Sequence, residues 1–398
     1  MQTEEGMMMN FYGITGTNGK TTTTWILAEF LNACPGRKCG YVTTVEVFDG
    51  ARRFYTGYTT PPLKQLHEIY AAMEANGCTD CVMEVSSHAI HQNRTGDTVF
   101  AGGAFTNLSE DHLDYHKTMD EYFRVKASFA EKIAASHPVR PDMGRRDLPP
   151  YVVCLDGENG RAMFDAVGNF AVNVIPVTNG RGRHPPTPCP DYDLSDLKLV
   201  GDYNASNVLV AAALAEAAGV PHAVIQATIP TLRPRWGRLE RVENPQAKAR
   251  VYVDFAHTPD GLEKVLAAAR GFTKGHLWVV FGAGGDRDPL KRPLMGEACA
   301  RLADALVVTS DNPRSEDPNR IIDAILVGVR RVADSRSPSP RVFVEPDRRA
   351  AISLALTHAA SDDVVIVAGK GHETTQEIQG VKHPFDDRAV VRGFAAPC

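Results

Sequence analysis

No apolar run in this 398-residue chain approaches the ~20 residues needed to cross a bilayer. Met1-Gln2-Thr3-Glu4-Glu5 has neither the basic start nor the apolar core of a secretory leader, so a cytoplasmic protein with no membrane partner is expected. Basic charge is in short supply: 43 Lys and Arg stand against 48 Asp and Glu, a net −5. That balance gives no general basic surface and disfavours nucleic acid as a partner. Cysteine is sparse, with eight residues scattered from Cys34 to Cys398, which excludes a disulfide framework and fits a reducing compartment. The close pair Cys78-x-x-Cys81 enters an apolar strand and has no second pair to complete a zinc or redox centre. Short repeats, heptads and low-complexity tracts are missing as well.

What is present is enough apolar residue, 43%, to build two or three cores. The stretch Gly13-Ile14-Thr15-Gly16-Thr17-Asn18-Gly19-Lys20-Thr21-Thr22 stands between a β-prone run, Met9 to Tyr12, and a helix-forming segment, Trp25 to Asn32. This is the outline of a phosphate-binding loop. Its glycines let backbone N–H groups turn toward phosphate oxygens, the following helix adds its dipole, Lys20 supplies a charge and Thr21 a hydroxyl for Mg²⁺. Ile14 stands where the usual spacing has its first glycine, so the loop is a tighter variant, Gly16 to Thr21. The competing reading is a glycine-rich turn before an ordinary helix; lysine followed by four threonines argues against it.

Short β-branched runs then alternate with amphipathic segments. Strands are expected at 41–45, 81–85 and 101–105, with helices at 63–74 and 119–135. This order implies crossover connections and a mostly parallel sheet. Polar stretches at 137–150 and 179–192 read as surface loops. Helices follow at 201–218 and 221–232, and Arg233-Pro234-Arg235-Trp236-Gly237 marks a boundary between domains 1–234 and 235–398. Beyond it, strands at 251–253, 277–281, 305–309, 341–344 and 364–367 alternate with helices at 260–270, 289–301, 319–332 and 348–358. The second domain is therefore doubly wound and Rossmann-like, without a phosphate loop of its own.

In such sheets ligands sit beyond the carboxyl ends of strands. Three clusters qualify in the first domain. Glu84 ends an apolar run, and a carboxylate beside a phosphate loop suits Mg²⁺. Thr106 to His116 packs acids and imidazoles into one post-strand loop. Lys126 lies on a helix among apolar neighbours, which by itself reads as a snorkelling lysine.

The order of Gly16-Thr17-Asn18-Gly19-Lys20-Thr21, Met83-Glu84-Val85-Ser86-Ser87-His88, Asn107 to Asp114, Asn204-Ala205-Ser206-Asn207 and Gly237-Arg238-Leu239-Glu240 resembles that of the Mur ligases, the ATP-dependent amide-forming enzymes of peptidoglycan precursor synthesis. Asp254 to Asp260, Phe281 to Asp288, Asp311-Asn312-Pro313-Arg314 and Gly369-Lys370-Gly371-His372-Glu373 resemble the branch that adds diaminopimelate. The likeness covers nearly the whole chain.

The resemblance implies roles. Gly16, Thr17, Asn18, Gly19, Lys20, Thr21 and Thr22 would hold the ATP phosphates, Asn204 and Asn207 would face adenine, and Arg238 and Asp254 would reach the nucleotide from the second domain. Thr21, Glu84, His112 and a carbamylated Lys126 would hold magnesium, two ions in all, with Lys20, Lys126, Glu84 and His112 serving the chemistry. Thr59, Thr60, Ser86, Gln92 and Arg94 would grip the acceptor. Arg287, Asp311, Asn312, Arg314, Gly369 and Glu373 would bind the amino acid, Arg314 reading a distal carboxylate.

The implied mechanism activates a carboxylate as an acyl phosphate and closes the second domain to exclude water. Members of this type carry a further N-terminal uridine-nucleotide domain. With the phosphate loop opening at Gly13, the expectation is that this domain lies outside the chain or comes from a partner protein, and that the acceptor is a peptide or amino acid free of UDP. The two-domain folylpolyglutamate synthases show that such an architecture works. The alternatives are the UDP-muramoyl dipeptide itself as acceptor, or a non-catalytic ATP-binding partner protein.

Overall fold

The computed structural model describes residues 9–137, 143–157, 159–180 and 191–396. It divides into two compact units, Met1–Leu232 and Arg233–Cys398, two residues from the boundary expected at 234.

In the first unit the elements run β1 (Asn10–Thr15), α1 (Lys20–Ala33), β2 (Cys39–Val42), β3 (Val47–Phe48), β4 (Arg53–Phe54), α2 (Leu63–Ala75), β5 (Asp80–Glu84), α3 (Ser87–His91) and β6 (Phe100–Phe105). They continue with α4 (Leu113–His116), α5 (Met119–Ala135), β7 (Pro150–Cys154), α6 (Gly160–Val167), β8 (Asn173–Val177), α7 (Asp202–Ala217) and α8 (His222–Thr228). The sheet order is β4-β3-β2-β5-β1-β6-β7-β8. All pairings are parallel except β2–β3 and β3–β4. Because β1 is central, the loops after β1, β5 and β6 open at the same edge, the switch point where such sheets bind ligands.

One helix is seated deeply. A Cβ on Gly13 of β1 would fall 2.2 Å from the Phe129 ring, and one on Gly103 of β6 would fall 2.6 Å from Ile133. The bare backbone at these positions lets α5 lie close on the sheet. Tyr122, Lys126, Phe129 and Ile133 form one helical stripe at i, i+4, i+7 and i+11, and all four are buried. Seating Phe129 and Ile133 therefore carries Lys126 toward the loop after β1. α7 is buried nearly all round and packs on α1 and β7, which accounts for its lack of an amphipathic pattern.

The second unit contains β9 (Glu240–Val242), β10 (Arg250–Asp254), α9 (Pro259–Arg270), β11 (Leu277–Phe281), α10 (Lys291–Leu302), β12 (Ala305–Val308), α11 (Pro318–Ala333) and β13 (Arg341–Val344). After these come α12 (Arg348–His358), β14 (Val364–Ala368), β15 (Thr375–Ile378), β16 (Val381–Pro384) and α13 (Asp387–Arg392). Its sheet order is β13-β12-β11-β14-β10-β9, parallel but for β9. β11 and β14 are buried at every residue, as expected for strands covered on both faces. Pro318 at the start of α11, with the Asp317 carboxylate accepting from Asn319 N at 2.9 Å, fixes where that helix begins.

Several elements differ from expectation. The strand at 41–45 ends at Val42 and turns into β3. The single helix at 221–232 is α8 plus a 3₁₀ turn, Ile229–Thr231, because Pro230 removes a backbone donor. The loops expected at 137–150 and 179–192 fall in part on residues outside those described, and the first also contains a 3₁₀ turn, Arg145–Asp147. Among the described residues no helix is long and apolar enough to cross a membrane. Cys39, Cys78 and Cys81 are free and buried, their thiols pushed up by removal from water, which makes them inert.

Candidate active site

The loop between β1 and α1 is held open by its neighbours. Gly16 (φ 147°) and Gly19 (φ 85°) adopt backbone conformations that only glycine takes easily. A side chain on Gly16 would strike Thr106, and one on Gly19 would strike Asn207. The loop after β6 clasps this one along its length. Thr17 N donates to Asn107 O (2.8 Å), Asn18 N to Asn107 Oδ1 (2.9 Å), and Asn107 Nδ2 and Thr106 Oγ1 both donate to Asn18 O (2.9 and 2.6 Å). Thr17 Oγ1 meets Tyr122 Oη (3.1 Å) and accepts from Ser109 N (3.1 Å). Asn207 Oδ1 accepts from Thr23 Oγ1 (3.2 Å), and its Nδ2 donates to Asn204 Oδ1 (3.3 Å). The structure thus gathers Gly16 to Thr23, Asn204 and Asn207 at the start of α1. Thr21 is buried there and Thr22 half-buried.

Two lysine side-chain nitrogens converge on one carbonyl. Lys20 Nζ donates to Gly16 O (2.9 Å) and Thr17 O (2.7 Å). Lys126 Nζ also donates to Gly16 O (2.8 Å) and lies over the Tyr122 ring, 4.6 Å from its centre. Lys126 is 1% exposed, so the snorkelling reading is wrong: Tyr122 and the loop cover the amine that would have reached water. Removal from water and then the Lys20 charge push the Lys126 amine well below the ordinary lysine range, with Asp111 opposing.

Glu84, the last residue of β5, is buried and accepts from Thr44 N (2.9 Å) and Thr44 Oγ1 (3.1 Å). Thr44 Oγ1 also bonds Thr59 Oγ1 (3.0 Å). His112 is 42% exposed and lies edge-on to His88, ring centres 4.9 Å apart. Its imidazole is pushed down to about 4, first by desolvation, while Asp111 resists and His88, Lys20 and Lys126 add to the drop. A neutral imidazole and a carboxylate are both competent metal donors. Thr21 and Glu84 offer the oxygen that Mg²⁺ prefers, whereas a lysine amine does not; Lys126 suits a hard cation only as its carbamate. Among the described residues no three His, Cys, Asp or Glu side chains group around a metal position, so phosphates and water would complete the shell.

The proposed acceptor residues also assemble. Thr60 Oγ1 donates to Glu84 O (2.8 Å) and accepts from Ser86 N (3.1 Å). Arg94 donates to Thr60 O (3.2 Å) and to Gln92 Oε1 (2.8 Å), and Gln92 Nε2 donates to Tyr115 Oη (3.0 Å).

In the second unit Asp254 ends β10 and accepts from Leu239 N (2.6 Å) and Ala256 N (2.7 Å). Burial lifts its carboxyl above the usual range, and Arg238 opposes this. Arg238 lies over the Phe255 ring, 4.6 Å from its centre. Arg287 and Arg314 flank Gly284. Arg314 (φ 51°) donates to Gly285 O (2.7 Å) and stands 3.7 Å from Glu377. Asp311, Asn312, Gly369 and Glu373 cluster around a residue the sequence reading left without a role, Lys370, which is 0% exposed. Sequence reasoning also passed over Tyr122 and Asn107, although both stand within motifs it quoted or one helical turn from Lys126.

Residues 14–175 match the Mur ligase middle domain, and residues 237–371 match the Mur ligase glutamate ligase domain. The UDP-N-acetylmuramoyl-L-alanyl-D-glutamate–2,6-diaminopimelate ligase of Thermosynechococcus vestitus is 42% identical over 96% of this chain and 76% of its own length. The chain belongs to the Mur ligase family. It is a ligase of the ATP-dependent type that the family comprises. A solved structure of a UDP-N-acetylmuramoyl-L-alanyl-D-glutamate–2,6-diaminopimelate ligase is 30% identical over 96% of this chain and 77% of its own, with a TM-score of 0.59. Mycobacterium tuberculosis folylpolyglutamate synthase complexed with ADP shares the fold, with a TM-score of 0.64 at 19% identity over 92% of this chain and 88% of its own.

Proposed function

We infer that this Mur-type ligase forms a peptide bond between a substrate carboxylate and the amino group of a diaminopimelate-like amino acid, converting ATP to ADP and phosphate. The observation that carries the reading is the buried Lys126 amine, held 2.8 Å from the phosphate-loop carbonyl of Gly16. An uncharged amine there can attack CO₂ and lose a proton, becoming the carbamate that a nearby cation requires; a nucleotide-binding module would gain nothing from it.

The acceptor, gripped by Thr59, Thr60, Ser86, Gln92 and Arg94, presents its carboxylate oxygen to the γ-phosphorus. That O–P bond forms as the bond to ADP breaks, and Lys20 offsets charge on the transferring group. Mg²⁺, held by Thr21, Glu84, His112 and carbamylated Lys126, would supply further electrostatic stabilisation. The uncharged amino group then attacks the acyl carbon, the tetrahedral adduct expels phosphate, and the new amide nitrogen gives up its proton to solvent. The bonds among Thr17, Asn18 and Asn107 fix the shape of the phosphate loop. Asn204 and Asn207 face the base. Arg287, Asp311, Asn312, Arg314, Gly369 and Glu373 hold the amino acid.

Names of relatives make UDP-N-acetylmuramoyl-L-Ala-D-Glu the first acceptor to try; a γ-carboxyl dipeptide without UDP is the second, as the sequence reading expects. Phosphate release is measured with each acceptor, with and without diaminopimelate, and the product is weighed. Release that requires both substrates, with a product of their summed mass less water, supports the ligase. Release independent of the amino acid overturns it.

A further inference from the structure

If the functional reading above holds, Lys370 has a part in it. Lys370 is the only lysine of Gly369-Lys370-Gly371-His372-Glu373 and is wholly buried. Its Nζ donates to Glu373 Oε2 (2.8 Å) and Asn312 Oδ1 (3.0 Å), and lies 3.8 Å from Asp311 Oδ1. Asn312 closes a ring with these groups, for its Nδ2 donates to the same Glu373 Oε2 (2.9 Å) while its Oδ1 also accepts from Glu377 N (2.9 Å). Two donors on Oδ1 fix the amide orientation, since a flipped amide would turn its NH₂ against an ammonium and a backbone N–H.

The consequence falls on Glu373. Oε2 is saturated by Lys370 and Asn312, and Oε1 takes no hydrogen bond from the described residues. Glu373 keeps 32% exposure, so its one uncommitted oxygen has access to ligand. The remaining charges do not cancel this oxygen. Arg348 is engaged with Asp387 by two bonds of 2.8 and 2.7 Å, leaving Asp311, Glu373 and Lys370 with a formal charge of −1. A site of that sign with one presented carboxylate oxygen recognises a cation.

We propose that Lys370 is a positioning residue: it locks Asn312 and Glu373 so that Glu373 Oε1 alone faces the ammonium group of the incoming diamino acid that does not attack. The lysine touches no substrate itself. It spares the pocket the ordering of two flexible side chains at binding.

Steady-state phosphate release by the full chain tests this, with ATP and amino acid varied separately. Lys370→Met should raise KM for the amino acid about tenfold, the cost of releasing one charged hydrogen-bonded anchor, and leave KM for ATP within about twofold. In a Glu373→Gln background the same change should add less than about twofold, because the presented oxygen is already lost. If Lys370→Met does not fold, Lys370→Gln, which keeps a donor toward Glu373 without the charge, should show the same selective rise at smaller size. Equal rises in both KM values, an unchanged amino-acid KM, or full additivity with Glu373→Gln overturn the proposal while leaving the ligase reading intact. Wild-type release that ignores amino acids overturns both.

Discussion

Two wholly buried lysines, one in each unit, have been placed in opposite surroundings. Lys126 meets a carbonyl, a tyrosine face and the like charge of Lys20. Lys370 meets two carboxylates and an amide oxygen. Burial alone therefore says little about what a lysine does; its partners decide. The first environment pushes the amine well below the ordinary lysine range, and the second ties its lysine into a hydrogen-bonded ring with Asn312 and Glu373.

The sharpest way to break this contrast is to remove the amine of Lys126. Lys126→Met should lower turnover by roughly a hundredfold or more, comparable to losing a preorganised charge-stabilising group. Lys126→Arg should do the same, because a guanidinium cannot shed its proton. Near-normal phosphate release by either variant would sink the carbamate reading. In stability the ranking should reverse. Lys370→Met leaves Asp311 and Glu373 facing each other and should cost about 2–3 kcal/mol by denaturant titration, while Lys126→Met removes a group that is expensive to bury and should cost less than about 1 kcal/mol.

Arg314→Ala tests the proposed amino-acid site of the second unit. It should weaken diaminopimelate about tenfold and lysine far less, as the loss of one charge-assisted anchor; equal weakening of both would remove its role in reading a distal carboxylate. A pH titration addresses the histidines around Lys126. His116 is pushed down to about 4 by desolvation first, then by His88 and Lys126. Between pH 6.5 and 4 the unfolded chain binds the proton and the folded one does not. Stability should then fall as pH falls through that window, by at most about 1.4 kcal/mol per unit for this group. His116→Phe should flatten the slope. The smallest effect is expected from Tyr122→Phe, which deletes the bond to Thr17 and keeps the ring over Lys126: a rise of a few-fold in KM for ATP, from about 1 kcal/mol.

Much of the fold was readable because long amphipathic or alternating segments carry their own period. Helices 119–135 and 348–358 begin and end where the pattern said. β15 and β16 escaped, since Thr375 to Pro384 is largely exposed and has no apolar alternation to betray a hairpin. α6 and β8 are likewise too short for their period to stand out. The site was legible as motifs but not as geometry. Nothing in Tyr122-Phe123-Arg124-Val125-Lys126 tells whether the lysine reaches water, because that depends on what packs over it, and the covering loop lies 110 positions earlier. Lys370 stood in a quoted motif, yet its role exists only in the closed ring with Asn312 and Glu373.

The clasp around the phosphate loop also bears on the order of folding. Gly16 and Thr17 are tied to Asn107, Tyr122 and Lys126, some 90 to 110 residues downstream, and Asn207 completes the set 184 residues from Thr23. Contacts so distant in sequence close slowly. The loop is synthesised before every segment that clasps it and is among the last that can acquire its working shape. Nucleotide affinity is thus a late reporter of folding, and a chain released before α7 emerges should bind ATP poorly however well its first strands have paired.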